Sequence, residues 1–177
     1  MIKMIFSGFG GQGVLVLGEI VATIAMHQGK QVTWMPSYGP EMRGGTANCS
    51  VIVSDRIIGS PIVQENIDIL CAMSVAAVNK FLPRVRPGGL VLVNSSLVTE
   101  KIQRQDVDVL EIDATNIAGK VGSLRVANMV MLAGFLKKTK LFTLDEITAV
   151  LNQRFAGARS QDLIPLNIRA IEYGLGG

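Results

Sequence analysis

Apolar positions along the chain form short β-branched runs alternating with longer apolar stretches, the rhythm of strands that feed helices. Ile2 to Phe6 is a short run ending at a glycine cluster, and Val14 to Met26 is a long apolar stretch without proline. Strand, glycine turn and helix are predicted in that order. Val32 to Met35 is a second short strand. Pro36 to Thr46 has no apolar period and is rich in Gly, Pro and polar residues, so it reads as a loop long enough to carry function. Ala47 to Val53 alternates as a strand, Ser54-Asp55-Arg56 reads as a turn, and Ile57-Ile58 as its returning hairpin partner. Ile67 to Met73 and Leu90 to Val93 are expected as buried strands, separated by a helix over Val75 to Leu82 and a turn at Arg86-Pro87-Gly88-Gly89. Val107 to Ile112 is a further strand. Helical patterns follow at Val126 to Lys137, Leu144 to Phe155 and Leu163 to Tyr173, and Thr143 with Glu146 makes a capping box for the second of these.

This order predicts one α/β domain over residues 1–177. Its core is a Rossmann-like, mostly parallel sheet with helices on both faces and a helical C-terminal segment. The apolar stretches do not read as membrane spans: Glu19 breaks the first, and Val126 to Leu136 contains Asn128 and falls short of the roughly 20 residues a bilayer needs. The first residues lack the pattern of an export signal, so no membrane and a cytoplasmic location are expected.

Composition adds a partner to this picture. Of 177 residues only 18% are charged and 49% are hydrophobic, and mean hydropathy is +0.39. Apolar surface covered by another chain is the expected consequence. The net charge of +3, from 17 Lys and Arg against 14 Asp and Glu, is scattered without a basic run, so nucleic acid is not an expected partner. Cys49 and Cys71 stand far apart with no CxxC, which gives no disulfide framework and no metal or cluster ligand set, and suits a reducing compartment.

Two segments carry candidate chemistry. Gly8-Phe9-Gly10-Gly11-Gln12-Gly13 satisfies G-x-G-x-x-G between a strand and a helix. Glycine lets another group approach the backbone, and the helix start offers unpaired N–H groups to an anion. The alternative is a turn whose glycines serve only packing. An ordinary dinucleotide site also needs an acid ending the second strand. The stretch Gln31-Val32-Thr33-Trp34-Met35-Pro36-Ser37 has none, which disfavours NAD or FAD. The second segment, Ser37-Tyr38-Gly39-Pro40-Glu41-Met42-Arg43-Gly44-Gly45-Thr46, is expected beside the first at the carboxyl ends of the strands. Arg43 can clamp an anion through its planar fork and Glu41 can orient it, or the two form a surface pair.

Several further residues read as structural. His27 ends a helix where a cation suits the dipole. Cys49 and Cys71 are expected as buried, inert thiols, and Trp34 and Phe81 as packing groups. Asn128 needs a polar partner in an apolar helix start, either a helix end or a site. Asp113, Thr115 and Asn116 can line the same end of the sheet but are expected rather to cap the turn that follows, and Lys137, Lys138 and Lys140 to complement a helix C-terminus.

Taken together, the two segments resemble the gamma subunit of 2-oxoacid:ferredoxin oxidoreductases. The resemblance runs over essentially the whole chain, including the Pro87-Gly88-Gly89 turn and the helix starting near Arg125-Val126-Ala127-Asn128-Met129. It implies one subunit of an enzyme that oxidatively decarboxylates a 2-oxoacid with coenzyme A, giving acyl-CoA, CO2 and reduced ferredoxin. It implies alpha and beta subunits, and a ferredoxin-like delta subunit, as partners, with ferredoxin as acceptor. Thiamine diphosphate, magnesium and iron–sulfur clusters are then expected on those chains, and no catalytic residue or metal on this one. The form Glu41-Met42-Arg43-Gly44-Gly45 resembles 2-oxoglutarate enzymes more than the pyruvate type, whose loop commonly reads Glu-Arg-Arg-Gly-Ala.

Two roles for this chain follow from the resemblance. Gly8, Gly10, Gly11, Gln12 and Gly13, with Tyr38 and Arg43, can hold coenzyme A. The loop Tyr38, Pro40, Glu41, Met42, Arg43, Gly44 and Gly45 can instead be an assembly surface, since Tyr, Met and Arg are enriched in interfaces. A stand-alone nucleotide-binding oxidoreductase domain and a purely structural subunit also remain compatible with these residues.

Overall fold

The first strand outlasts its apolar run. In the computed structural model, which describes residues 1–38, 45–155 and 163–176, β1 covers Ile2–Phe9 and passes through Ser7 and Gly8. Helix α1 (Val14–His27) follows the glycine turn. β2 (Gln31–Tyr38) and β3 (Thr46–Ser54) are also longer than their apolar cores, leaving residues 39–45 as the connection. β4 is Ile67–Ala72, α2 Val75–Phe81, β5 Val85–Asn94 and β6 Asp108–Ile112. α3 (Ala114–Val121), α4 (Ala127–Thr139), α5 (Leu144–Phe155) and α6 (Leu163–Leu175) complete the chain.

The six strands form one sheet in the order β2-β3-β1-β4-β5-β6. β1, β4, β5 and β6 are mutually parallel. β3 is the exception to the parallel rule: it runs antiparallel to both β1 and β2 and lies between them. β2 and β3 are therefore a hairpin laid beside β1, with Ile2 opposite Val53 and Val53 opposite Val32.

Alternation along the strands builds two cores. Met4, Phe6, Cys71 and Leu92 face a large cluster under α1, α3, α4 and α5, while Ile5, Leu70, Val91 and Val93 face a smaller one under α2. α4 is the centre of the large layer, with every residue from Ala127 to Leu136 buried. A helix apolar on all sides belongs inside, and α6 packs over it from outside. Thr143 and Glu146 make the reciprocal capping box: Thr143 N donates to Glu146 Oε2 at 2.7 Å and Glu146 N to Thr143 Oγ1 at 3.2 Å.

Three local expectations are corrected. Ile57-Ile58 forms no hairpin strand, and Ile57 is 87% exposed: β3 already has a neighbour on each side, so no edge remains for a further strand. Arg86 to Gly89 is not a turn ahead of a strand but an irregularity inside β5, whose pairing with β4 jumps between Val85 and Leu90. Gly88 N donates there to Asp106 O at 2.6 Å. The turn expected after Asp113, Thr115 and Asn116 is instead a helix that begins at those residues, α3. Among the described residues no helix is long and apolar enough to cross a membrane.

Candidate functional site

The crossover from β1 through α1 packs on one face of the sheet, and the crossover from β4 through α2 on the other. The carboxyl ends of neighbouring β1 and β4 therefore flank a crevice where connections diverge to opposite faces, the place where open α/β sheets bind ligands. The glycine turn sits there. Gln12 closes it: its Oε1 accepts from Phe9 N at 2.7 Å, and its Nε2 donates across the crevice to Met73 O at 3.1 Å. The Gln12 carboxamide is thus committed to the protein, and the donors the turn can offer a ligand are backbone amides.

Gly13 is the N-cap of α1 with φ of +72°, a left-handed conformation that glycine adopts without the steric penalty of a side chain. A β-carbon at this position would also overlap the Asn128 carboxamide. Asn128 Nδ2 donates to Gly13 O at 3.3 Å while its Oδ1 accepts from Met129 N at 3.0 Å, so this buried amide joins the glycine turn to the start of α4. No side chain caps the first turn of α1, and no acidic residue lies in it. Its amide groups carry the partial positive charge of a helix start and have no side-chain acceptor, an arrangement suited to a phosphate or carboxylate. Gly10 and Gly11 are exposed at the mouth, and the space beside Gly11 is open.

The second motif arrives by a route different from the one expected. β2 is not adjacent to β1. The hairpin returns through β3, which places Thr46 opposite Phe9, and Gly10 N donates to Gly45 O at 2.9 Å. Gly45 and Thr46, the end of the second segment, meet the glycine turn because β3 is inserted between β1 and β2. This insertion also removes the usual position for a ribose-binding acid beside β1. Tyr38 ends β2 with its backbone opposite Ala47. Pro40, Glu41, Met42, Arg43 and Gly44 lie outside the described residues.

The remaining candidates settle into structural places. Ser96, which no motif singles out, caps α3 from a distance: its Oγ accepts from Thr115 N at 3.1 Å and Asn116 N at 3.3 Å, and donates to Asp113 Oδ1 at 2.6 Å. Asn94, at the end of β5, donates to Thr115 Oγ1 at 2.9 Å. A small polar residue just after a strand is the only sequence signal for Ser96. His27 is exposed at the end of α1, far along the helix from the glycine turn. Lys138 pairs with Asp108 at 2.7 Å, and Lys137 donates to Leu175 O at 3.5 Å. Cys49 and Cys71 are buried, and loss of hydration pushes both thiols up to about 12. Among the described residues no three potential metal ligands come together. A cavity of about 560 Å³ lies away from the glycine turn, between α1 and α5 and beside the Glu19–Arg154 pair.

Comparison with known proteins places this geometry in a family. Residues 3–176 match the family model described as pyruvate ferredoxin/flavodoxin oxidoreductase. The chain is 36% identical over 173 residues to ketoisovalerate oxidoreductase subunit VorA of Methanothermobacter thermautotrophicus, covering 98% of this chain but 35% of that protein. The chain thus spans about a third of the length of that relative. It is 36% identical over 162 residues to 2-oxoglutarate synthase subunit KorC of Methanocaldococcus jannaschii, covering 89% of this chain and 86% of that subunit. The crystal structure of the gamma subunit of a keto/oxoacid ferredoxin oxidoreductase from Geobacter sulfurreducens superimposes with a TM-score of 0.82 at 31% identity, covering 99% and 97% of the two chains.

Proposed function

The chain belongs to the pyruvate ferredoxin/flavodoxin oxidoreductase family, and on that premise we propose that it is the gamma component of a cytoplasmic 2-oxoacid:ferredoxin oxidoreductase. In this proposal the complex converts a 2-oxoacid and coenzyme A to acyl-CoA and CO2 and passes the electrons to ferredoxin. Alpha and beta chains, with a ferredoxin-like delta chain, carry thiamine diphosphate, magnesium and the iron–sulfur clusters.

The part given to this chain is to hold the anionic end of coenzyme A, whose thiol accepts the acyl group. The observation that carries it is the hydrogen bond from Gly10 N to Gly45 O, which brings the last glycine of the second motif against the glycine turn that leads into the uncapped first turn of α1. The residues present fit an anionic group: glycines leave the backbone accessible, no side chain occupies the cap, and the first turn of α1 holds no carboxylate to oppose a phosphate. Gln12 and Asn128 hold the turn in shape from either side. Arg43, two residues before Gly45 in the sequence, is given the cationic side-chain contact in this proposal. Phe9, exposed at the mouth of the turn, supports a second role for the same rim as an assembly surface.

The substrate class is a 2-oxoacid. The Glu41 to Gly45 sequence supports 2-oxoglutarate, whereas the two relatives of equal identity carry names of both the ketoisovalerate and the 2-oxoglutarate kind.

Purification from the native cell tests the proposal. Co-eluting chains with thiamine and cluster motifs are expected, with activity on 2-oxoglutarate exceeding that on pyruvate and 2-oxoisovalerate. In the assembled complex Arg43→Ala is expected to weaken coenzyme A affinity; unchanged affinity with lost co-purification assigns Arg43 to assembly instead. A large thermal stabilisation of the isolated chain by NAD, NADP or FAD, with none by coenzyme A, would favour a stand-alone nucleotide-binding domain, because a ligand specific for the native state raises its stability.

A further inference from the structure

We propose that the groove between β2 and α2 is a second docking surface, which receives an acidic segment of a partner polypeptide that also offers an apolar side chain. α1 covers β2 and β3 on one face. On the opposite face the smaller core ends at Ile5, Phe81 and Val63, β3 is covered, with Ser50, Ile52 and Ser54 buried and Ser50 Oγ donating to Pro61 O at 3.4 Å, and among the described residues no helix lies over β2. A groove of about 210 Å³ remains, in which Met35 and Ile62 stand beside the polar Ser37, Asn48 and Ser50, with Lys80 and Arg84 along the α2 side. Met35 is 40% exposed and Ile62 55%. β2 is also the edge of the sheet, and Trp34, which points to the opposite face from Met35, is exposed as well. Exposed large side chains on both faces of one edge strand suit a partner that wraps the edge, and Met, Trp and Arg are types enriched in interfaces.

The charge selects the occupant. Lys80 Nζ and Arg84 Cζ lie 5.1 and 5.8 Å from the centroid of the Phe81 ring. Neither has a carboxylate partner among the described residues. Two cations within 6 Å of one aromatic ring, at the margin of a groove that also exposes Met35 and Ile62, complement a segment that offers carboxylates next to an apolar side chain. Pro36 lacks an amide hydrogen, so β2 cannot present a continuous ladder to an added strand. Docking through side chains is the mode that remains.

The inference rests on the proposed assembly role, because it requires a partner chain. Its test uses the complex assembled in the native cell, with a photocrosslinking amino acid at Ile62 or, as control, at exposed Met26. Crosslinks from Ile62 to an Asp- or Glu-containing peptide of another subunit are expected, with none to that peptide from Met26. The pair Lys80→Glu and Arg84→Glu is expected to weaken association about tenfold, while Lys120→Glu with Lys137→Glu leaves it unchanged. Crosslinks confined to this chain or to a second copy, a partner peptide without carboxylates, or equal effects of the two charge reversals would each overturn the docking surface while the assembly role stands. Failure of any chain to co-purify with the unaltered protein would overturn both.

Discussion

The Asn128 side chain donates to the carbonyl of Gly13 at 3.3 Å, joining residues 115 positions apart. This bond makes the glycine turn part of the rigid interior rather than a surface loop, because Asn128 belongs to the most buried helix of the chain. Asn128→Ala is expected to lower stability by about 1–2 kcal/mol, the worth of a buried hydrogen bond plus a small cavity. Urea unfolding measures it. The Gly13 carbonyl keeps its bond from Leu17 N, so the loss should stay within that range.

Gly18 lets α1 pack directly against β3. A β-carbon there would overlap Cys49 Sγ and come within 3.3 Å of Trp34 Nε1 and Val51 Cγ2. The added methyl must push the helix outward even though alanine favours helix, so Gly18→Ala is expected to destabilise by about 1–3 kcal/mol. A thermal melt that rises instead would show that the helix has room to move.

Ser96→Ala removes the acceptor for Thr115 N and Asn116 N and the donor to Asp113. Helix α3 then loses a cap worth about 1 kcal/mol. Amide hydrogen exchange should accelerate at Thr115 and Asn116 first, with α5, which holds its own capping box, unchanged.

Acid should loosen the junction between α1 and α5. The Gln28 carboxamide, followed by the Thr143 amide, holds the Glu146 carboxyl below its usual range. A carboxyl whose value is lowered by folding contributes stability above its unfolded value, about 4.3, and that stability is lost as pH falls through the lower folded value. Glu146→Gln is therefore expected to be less stable than the unaltered chain at neutral pH, with the gap closing below about pH 4. Denaturation midpoints measured across that window check the sign.

Local signals are legible where their partners lie within a few residues. The strand and helix runs, the glycine turn and the Thr143–Glu146 box all follow from spacing alone, since a helix or strand repeats its contacts every few positions. Helix α3 escapes a reading by spacing because its cap is supplied by Ser96, 19 residues upstream of Thr115. Ile57-Ile58 has the composition of a strand, but only the sheet order shows that no edge beside β3 is left for it. Gly88 and Gly89 carry a turn signature, yet the pairing of β5 with β4 on both sides of them makes the segment a bulge.

By itself, then, the sequence determined the kinds of element, the anion-suited helix start and the presence of two glycine-rich segments in one α/β domain, because these depend on side-chain periodicity and backbone freedom over short spans. Only the tertiary structure decided that β3 reverses and inserts between β1 and β2, that Gly10 therefore meets Gly45, and that Gln12 and Asn128 clamp the turn from β4 and α4. Those contacts join residues 35, 61 and 115 positions apart. Such pairs form only when burial of the whole sheet between its helices offsets the entropy of closing the intervening chain, and no local pattern records which pairs those are.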